Sequence, residues 1–233
     1  MAHGCQAGLQ QQACDEVYIT RIHRHDEHYS SRKLYAFGSN LGAVACFFEQ
    51  PWSQVSSALT EDAKAWFLNE AAVSLRALGR LTEALVPMRS NLKMRVERKE
   101  WQHAPSSAGN LSELELALGE VAGAVRDANQ SVTYADLSGY ALQRMSKRAT
   151  YGSALQSAGH RDEAETLFRK AEQMQKEAEP NISLLYSLRG FHYCDLFLAA
   201  AEHAAWQQLL NPQSAIRNPQ YVESCRAVTK RAA

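Results

Sequence analysis

A glycine that recurs every forty residues constrains the fold of this chain most strongly. Gly79, Gly119 and Gly159 are separated by 119 − 79 = 40 and 159 − 119 = 40 residues. An alanine follows each glycine five residues later. Forty residues beyond Gly159 and beyond its alanine, both positions are occupied by alanine. These alanines are Ala84, Ala124, Ala164, Ala199 and Ala204. A fixed period of this size is typical of stacked helical repeats.

Each glycine lies between two apolar helical patterns, in residues 77–85, 116–125 and 155–164. Glycine readily enters the left-handed conformation that ends a helix. The alanine five positions later falls in the first turns of the next helix, where a small side chain lets two antiparallel helices approach closely. The pattern therefore predicts a helical hairpin in each block.

The blocks resemble the tetratricopeptide repeat (TPR) family. The resemblance rests on the glycine and alanine columns, on a small residue seven positions before each glycine, and on the apolar residue just before that one. These residues are Ala72, Ser112 and Gly152, preceded by Ala71, Leu111 and Tyr151. The period exceeds the family's usual ~34 residues, and Glu115 occupies a normally apolar position. The longer period resembles the extended repeats of arrays attached to bacterial signalling ATPases.

The resemblance covers roughly residues 66–210 and implies an all-α, right-handed solenoid of about four helical hairpins. We expect a partly disordered N-terminal segment at 1–31, an N-terminal helix and linker at 32–59, the repeats at 60–210, and a C-terminal capping helix at 211–233. Pro87 lies inside a predicted helix and would kink it. The aromatic residues of block four should seal the end of the array. They are Tyr186, Phe191, Tyr193, Phe197 and Trp206.

The charge balance and the cysteine content narrow the range of functions that the sequence allows. Lys plus Arg and Asp plus Glu are both 25, so the basic excess of a typical nucleic-acid-binding domain is missing. No stretch reaches the roughly 18 apolar residues of a membrane span. The five cysteines are irregularly spaced and show no metal-binding or disulfide pattern. A cytoplasmic protein with reduced thiols is the simplest prediction.

Three histidines, His23, His25 and His28, offer an alternative function, that of a small metal-dependent enzyme. On a helix, His25 and His28 would share a face, and His23 would point elsewhere. Zinc sites normally assemble three or four ligands, and the sequence identifies no distant one. We therefore favour a solvated polar segment with no metal.

Other catalytic patterns are weak. His192 and Cys194 are two residues apart and would point away from each other on a helix, as would Glu113 and Glu115. The chain has no G-x-S-x-G elbow, Walker lysine pattern or G-x-G-x-x-G loop. We predict no catalytic residues, no cofactor and no enzymatic activity.

The family resemblance implies instead a concave groove, lined by the first helix of each block, that binds a peptide or partner protein. The groove positions fall at Asn69, Arg76, Asn110, Glu113, Arg148, Arg189 and Tyr193. Guanidinium groups suit carboxylates, so we expect an acidic or C-terminal peptide segment. These polar residues could equally belong to an ordinary solvated face, and self-association stays open. The leading prediction is a non-catalytic interaction scaffold or sensor module.

Overall fold

The computed structural model describes residues 1–210 and 220–232, and these are all-α apart from one short ribbon. The chain divides into two compact units, Met1–Leu118 and Gly119–Ala233. Each consists largely of helices that pack against their neighbours in sequence. The predicted all-α class with helical hairpins is confirmed.

The first unit begins with short helices α1 (Ala2–Gln6) and α2 (Gln10–Gln12). The chain then winds more widely through a π-helix at Ala13–His23, a 3₁₀ turn at His25–Glu27 and a second π-helix at Tyr29–Lys33. Left-handed residues Arg24, His25 and His28 interrupt this path. This segment is helical, and its residues Cys14 and Tyr18 are buried.

Helix α3 (Phe37–Ala45) buries Leu41 and Val44, as its helical spacing predicts. The predicted linker instead contains a two-stranded antiparallel ribbon. It is formed by β1 (Phe48–Gln50) and β2 (Gln54–Val55), with Phe48 opposite Val55.

Helices α4 (Glu61–Ala77), α5 (Leu81–Glu97) and α6 (Ala104–Ala117) complete the first unit. Thr60 caps α4, because its hydroxyl accepts a hydrogen bond from the Ala63 amide. Gly79 turns the chain with φ +73°, and the Arg80 amide bonds the Leu75 carbonyl. Pro87 is accommodated inside α5, which continues on both sides of it.

The second unit contains α7 (Val121–Ser138), α8 (Ala141–Ser157) and α9 (Arg161–Ala178). Gly159 joins α8 to α9 at φ +84°, and Gly119 precedes α7 at φ +79°. Ala84, Ala124 and Ala164 are all fully buried, which confirms the alanine column.

The small position of block three also has a direct cause. A Cβ atom on Gly152 would lie 3.0 Å from the Phe168 ring. Real Cβ contacts are rarely so short, so a side chain at position 152 would push the α9 ring out of the core. The glycine in α8 and the phenylalanine in α9 are therefore a matched pair.

The fourth block departs from the prediction. Helix α10 (Ser187–Leu210) is continuous through Ala199, so no hairpin turns there. Alanine is the best helix former and disfavours the left-handed conformation that glycine supplies. Helix α11 (Gln220–Ala232) packs against α10, and residues 211–219 of the predicted capping helix lie outside the described residues.

The aromatic residues of block four also divide between core and surface. Tyr193 is buried, whereas Tyr186, Phe191 and Trp206 are exposed. The prediction that these residues seal the end of the array does not hold for Tyr186, Phe191 and Trp206, because their side chains are exposed to solvent. Within the described part of the chain, no helix combines the length and hydropathy needed to cross a bilayer.

Candidate functional site

Four of the predicted groove residues share the first unit and remain partly accessible. Asn69 and Arg76 lie on α4, and Asn110 and Glu113 lie on α6. The Arg76 Nη2 atom is 3.7 Å from Glu113 Oε2, with the two side chains 33% and 40% exposed. This contact brings the polar surfaces of α4 and α6 together, and we call these four residues the α4–α6 surface.

The Arg76–Glu113 pair is weakly held. An ion pair between partly solvated side chains contributes about 0 to 1 kcal/mol to stability, and 3.7 Å is too long for a good hydrogen bond. A carboxylate on a ligand can therefore replace Glu113 as the partner of Arg76 at small energetic cost.

The scaffold beneath this surface is held by Asn91 of α5, which is buried. Its Nδ2 donates to the backbone carbonyl of Ala65 in α4 across 2.6 Å. Its Oδ1 accepts from the hydroxyl of Ser107 in α6 across 2.7 Å. One amide thus ties α5 to both helices of the α4–α6 surface.

Glu115, the charged residue at a normally apolar repeat position, has a structural explanation. Its side chain is fully buried in α6, and its Oε1 accepts from Arg89 Nη2 of α5 across 2.9 Å. The carboxylate belongs to an internal ion pair between neighbouring helices, so it is a structural residue of the first unit.

Arg148 of α8 does not line an open groove, contrary to the sequence prediction. It is only 5% exposed. Its Nη2 donates to Asp136 Oδ2 of α7 across 2.8 Å, and its Nη1 donates to the Arg144 carbonyl across 2.9 Å. The hydrogen bond from Arg148, with help from Arg144, lowers the pKa of Asp136.

Tyr193 was also predicted to line the groove, but it is a core residue. Its ring stacks between Phe168 at 4.9 Å and Phe197 at 4.7 Å. The Arg231 guanidinium lies 4.3 Å from the ring centroid. Burial raises the pKa of the tyrosine. The family resemblance implied a groove position for Tyr193, but Phe168 of α9 and Arg231 of α11 pack against its ring.

Arg189 has the environment closest to the prediction in the second unit. It is partly buried on α10, and its Nε atom has no hydrogen-bond partner. Its guanidinium lies 5.2 Å from the Tyr186 ring. Nearby, Leu188 and Phe191 expose 58% and 63% of their area. The sequence analysis assigned Phe191 to the sealed end of the array and so missed this exposed surface.

A second polar arrangement, inside the first unit, was not predicted. The Tyr18 hydroxyl donates to Asn40 Oδ1 across 2.8 Å, and Asn40 Nδ2 lies 3.3 Å from Glu70 Oε2. Ser30 and Ser74 complete the bonding of Asn40. Burial raises the pKa of Glu70, and hydrogen bonds from Asn40 and Tyr18 oppose this shift.

His23 and His28 adjoin this network, and their rings are 4.4 Å apart. Burial lowers the pKa of both, and the nearby positive charge of Arg32 acts in the same direction. His25 is exposed. The sequence paired His25 with His28 on one regular helix. The left-handed residues at 24, 25 and 28 invalidate that spacing and bring His23 to His28 instead.

Comparison with solved structures shows what this fold resembles. Two crystal structures of nearly identical TPR-like repeats, from a Podosopora anserina protein named as a kinesin light chain, align over 100% of this chain. One gives a TM-score of 0.57 at 15% identity over 98% of its own length. The other, from the same protein, gives 0.55 at 16% identity over 99%. No family model and no curated protein matches the sequence.

The chain is therefore a helical-repeat protein with a TPR-like fold, as the glycine and alanine columns predicted. At this level of identity the similarity establishes the fold alone. Repeats of this class are in general protein-interaction scaffolds and are typically non-catalytic. The comparisons give no support to the alternative of a small metal-dependent enzyme.

Proposed function

We propose that this chain is a non-catalytic interaction module that binds a segment of a partner protein on the α4–α6 surface. The observation that carries the proposal is the long, solvated contact between Arg76 and Glu113. The Arg76 guanidinium is held only weakly by its internal partner Glu113. The helices that carry both residues are kept in place by the repeat scaffold.

The favoured ligand is an acidic or C-terminal peptide segment. A carboxylate that displaces Glu113 can form two parallel hydrogen bonds with the Arg76 guanidinium, a stronger arrangement than the 3.7 Å contact. Asn69 and Asn110 offer amide donors and acceptors of the kind that pair with peptide backbone groups. Arg148 and Tyr193 have no part in this revised surface, because both are buried in the second unit.

A cytoplasmic location is part of the same proposal. All five cysteines are free thiols, a state that reducing compartments maintain. The near-neutral charge balance of 25 basic and 25 acidic residues also favours a protein partner over nucleic acid.

The proposal can be tested without knowing the natural partner. A displayed library of peptides with free carboxyl termini is selected against the immobilised full chain, and the selected peptides are measured by fluorescence anisotropy. We expect enrichment of acidic or terminal carboxylates and an affinity that falls with salt. Arg76→Gln should weaken binding about fivefold or more, and Glu113→Gln should strengthen it by releasing Arg76.

Arg80→Gln is the matched control. Arg80 is also partly exposed and paired with a glutamate, Glu83, but it lies in the turn after α4. Its substitution should leave peptide affinity unchanged. The proposal would be wrong if no carboxylate-bearing peptide were selected, or if Arg76→Gln and Arg80→Gln bound the selected peptides as tightly as the unmodified chain.

A further inference from the structure

We infer that His23, His28 and Glu70 form a binding site for one divalent transition-metal ion, with zinc as the representative metal. One ligand atom from each side chain lies within 4.8 Å of the other two. The three residues come from the end of the first π-helix, the turn that follows it, and the middle of α4. This site is separate from the α4–α6 surface and does not depend on it.

The distances suit a metal after a small adjustment. Tetrahedral zinc with bonds of about 2.0 to 2.1 Å holds its ligand atoms roughly 3.4 Å apart. Ligand atoms within 4.8 Å of one another need to converge by about an ångström, which side-chain rotation can supply. Two imidazoles and one carboxylate are a known zinc-binding set with room for a fourth ligand.

The unpartnered Nε2 atom of His23 is the observation that points to a bound ligand. His23 is only 3% exposed, and its Nε2 atom has no hydrogen-bond partner. A buried polar atom without a partner is costly unless something binds it.

The His23 ring is also fixed in direction. It meets the Trp66 ring edge to face at 4.8 Å and stacks near Tyr18 at 6.2 Å. These contacts limit rotation of the ring, so little rotational freedom is lost when a metal binds.

Glu70 is supported by a second layer of hydrogen bonds. Its Oε2 atom lies 3.3 Å from Asn40 Nδ2 and 3.5 Å from the Tyr18 hydroxyl. The Asn40 amide donates to this oxygen and favours the ionised carboxylate, which is the form that binds a cation. Outer hydrogen bonds of this kind orient carboxylate ligands in metal sites.

The donor set selects the class of cation. Imidazole nitrogen suits zinc, cobalt, nickel, copper and iron, whereas calcium and magnesium prefer oxygen ligands alone. His28 is partly exposed, which gives an ion a route from solvent and leaves space for water as a fourth ligand. The role is structural: one ion would join the N-terminal π-helix to α4.

The test is zinc binding to the purified, untagged full chain. Equilibrium dialysis followed by elemental analysis should give one zinc per chain, and saturating zinc should raise Tm by roughly 5 °C or more. His28→Asn, Glu70→Gln and His23→Phe should each weaken zinc binding at least tenfold. Cobalt should give visible absorption without a thiolate-to-metal band, which excludes the cysteines as ligands.

His25→Asn is the control, since His25 and His28 share a left-handed backbone with φ of 51° and 47°. Asparagine tolerates that conformation at both positions, so the two variants differ only in which imidazole is removed. Unchanged zinc affinity in His28→Asn would overturn the inference even if the buried variants failed to fold. Absence of binding at 100-fold molar excess of zinc would overturn it too, as would a site that His25→Asn abolishes.

Discussion

Arg148 reaches from α8 to the last turn of α7 and donates from Nη2 to Oδ2 of Asp136 across 2.8 Å. The arginine is buried while the aspartate is 40% exposed. Removing the carboxylate would leave a buried guanidinium with only the Arg144 carbonyl. Asp136→Asn should therefore lower the free energy of unfolding by about 1 kcal/mol at pH 7, a value that allows for solvent screening of the aspartate.

The pH dependence of that effect follows from the lowered pKa of Asp136. A carboxylate with a lowered pKa contributes its full stabilisation above its unfolded pKa, about 3.9. The stabilisation is lost as pH falls below that value through the folded pKa. Urea unfolding of both proteins should show the difference at pH 7 and lose it near pH 2 to 3. A constant difference over this range would contradict the assignment.

Exchanging the turn glycine Gly159 for alanine, or its counterpart Ala199 for glycine, should destabilise the chain in both cases, for different reasons. Gly159→Ala places a Cβ on a residue at φ +84° and should destabilise the chain by about 1 to 2 kcal/mol. Ala199→Gly, inside continuous α10, should also destabilise, by about 0.5 to 1 kcal/mol, and should not create a turn. Chemical denaturation measures both changes. An Ala199→Gly variant of greater stability would indicate a latent hairpin.

The alanine column predicts a strong size limit. Ala164 is fully buried against a core that contains Phe168 and Leu155. Ala164→Phe should lower stability by about 1 to 3 kcal/mol or more through overpacking. Ala178→Phe, at the exposed end of the same helix, is the matched control and should change stability by less than about 0.5 kcal/mol. Equal melting temperatures for the two variants would contradict the packing.

Asn91 should be the most sensitive polar residue of the first unit. Asn91→Ala removes the bonds to the Ala65 carbonyl and the Ser107 hydroxyl and leaves a small cavity, so it should destabilise by about 2 kcal/mol. Ser107→Ala removes only one of the two bonds and should cost about 1 kcal/mol. Thermal or urea unfolding compares them. A larger effect of Ser107→Ala would show that Asn91 does not link the helices.

The sequence predicted the parts of the fold that depend on neighbouring residues. Glycines at 79, 119 and 159 have the left-handed φ that their position suggested. The predicted fourth turn is absent, because Ala199 favours a continuous helix although its spacing matches that of the turn glycines. Periodicity identified the helix, but the local preference of one residue decided whether it ended.

The candidate sites were harder to predict, because they depend on contacts between distant residues. The family resemblance placed Arg148 and Tyr193 in a groove, but both side chains are buried. The pairing of His23 with Glu70 requires a left-handed interruption and a helix far along the chain. Arg76 and Glu113 were both singled out as groove positions, yet their mutual contact was not foreseen.

The helices within each unit pack chiefly against those that precede or follow them in sequence. A protein organised in this way can gain or lose a forty-residue block with little disturbance to contacts elsewhere, because each block contacts only its immediate neighbours. Gene duplication and deletion could thus change the length of such an array in whole blocks. The paired glycine and alanine columns are the register that any inserted block would have to match.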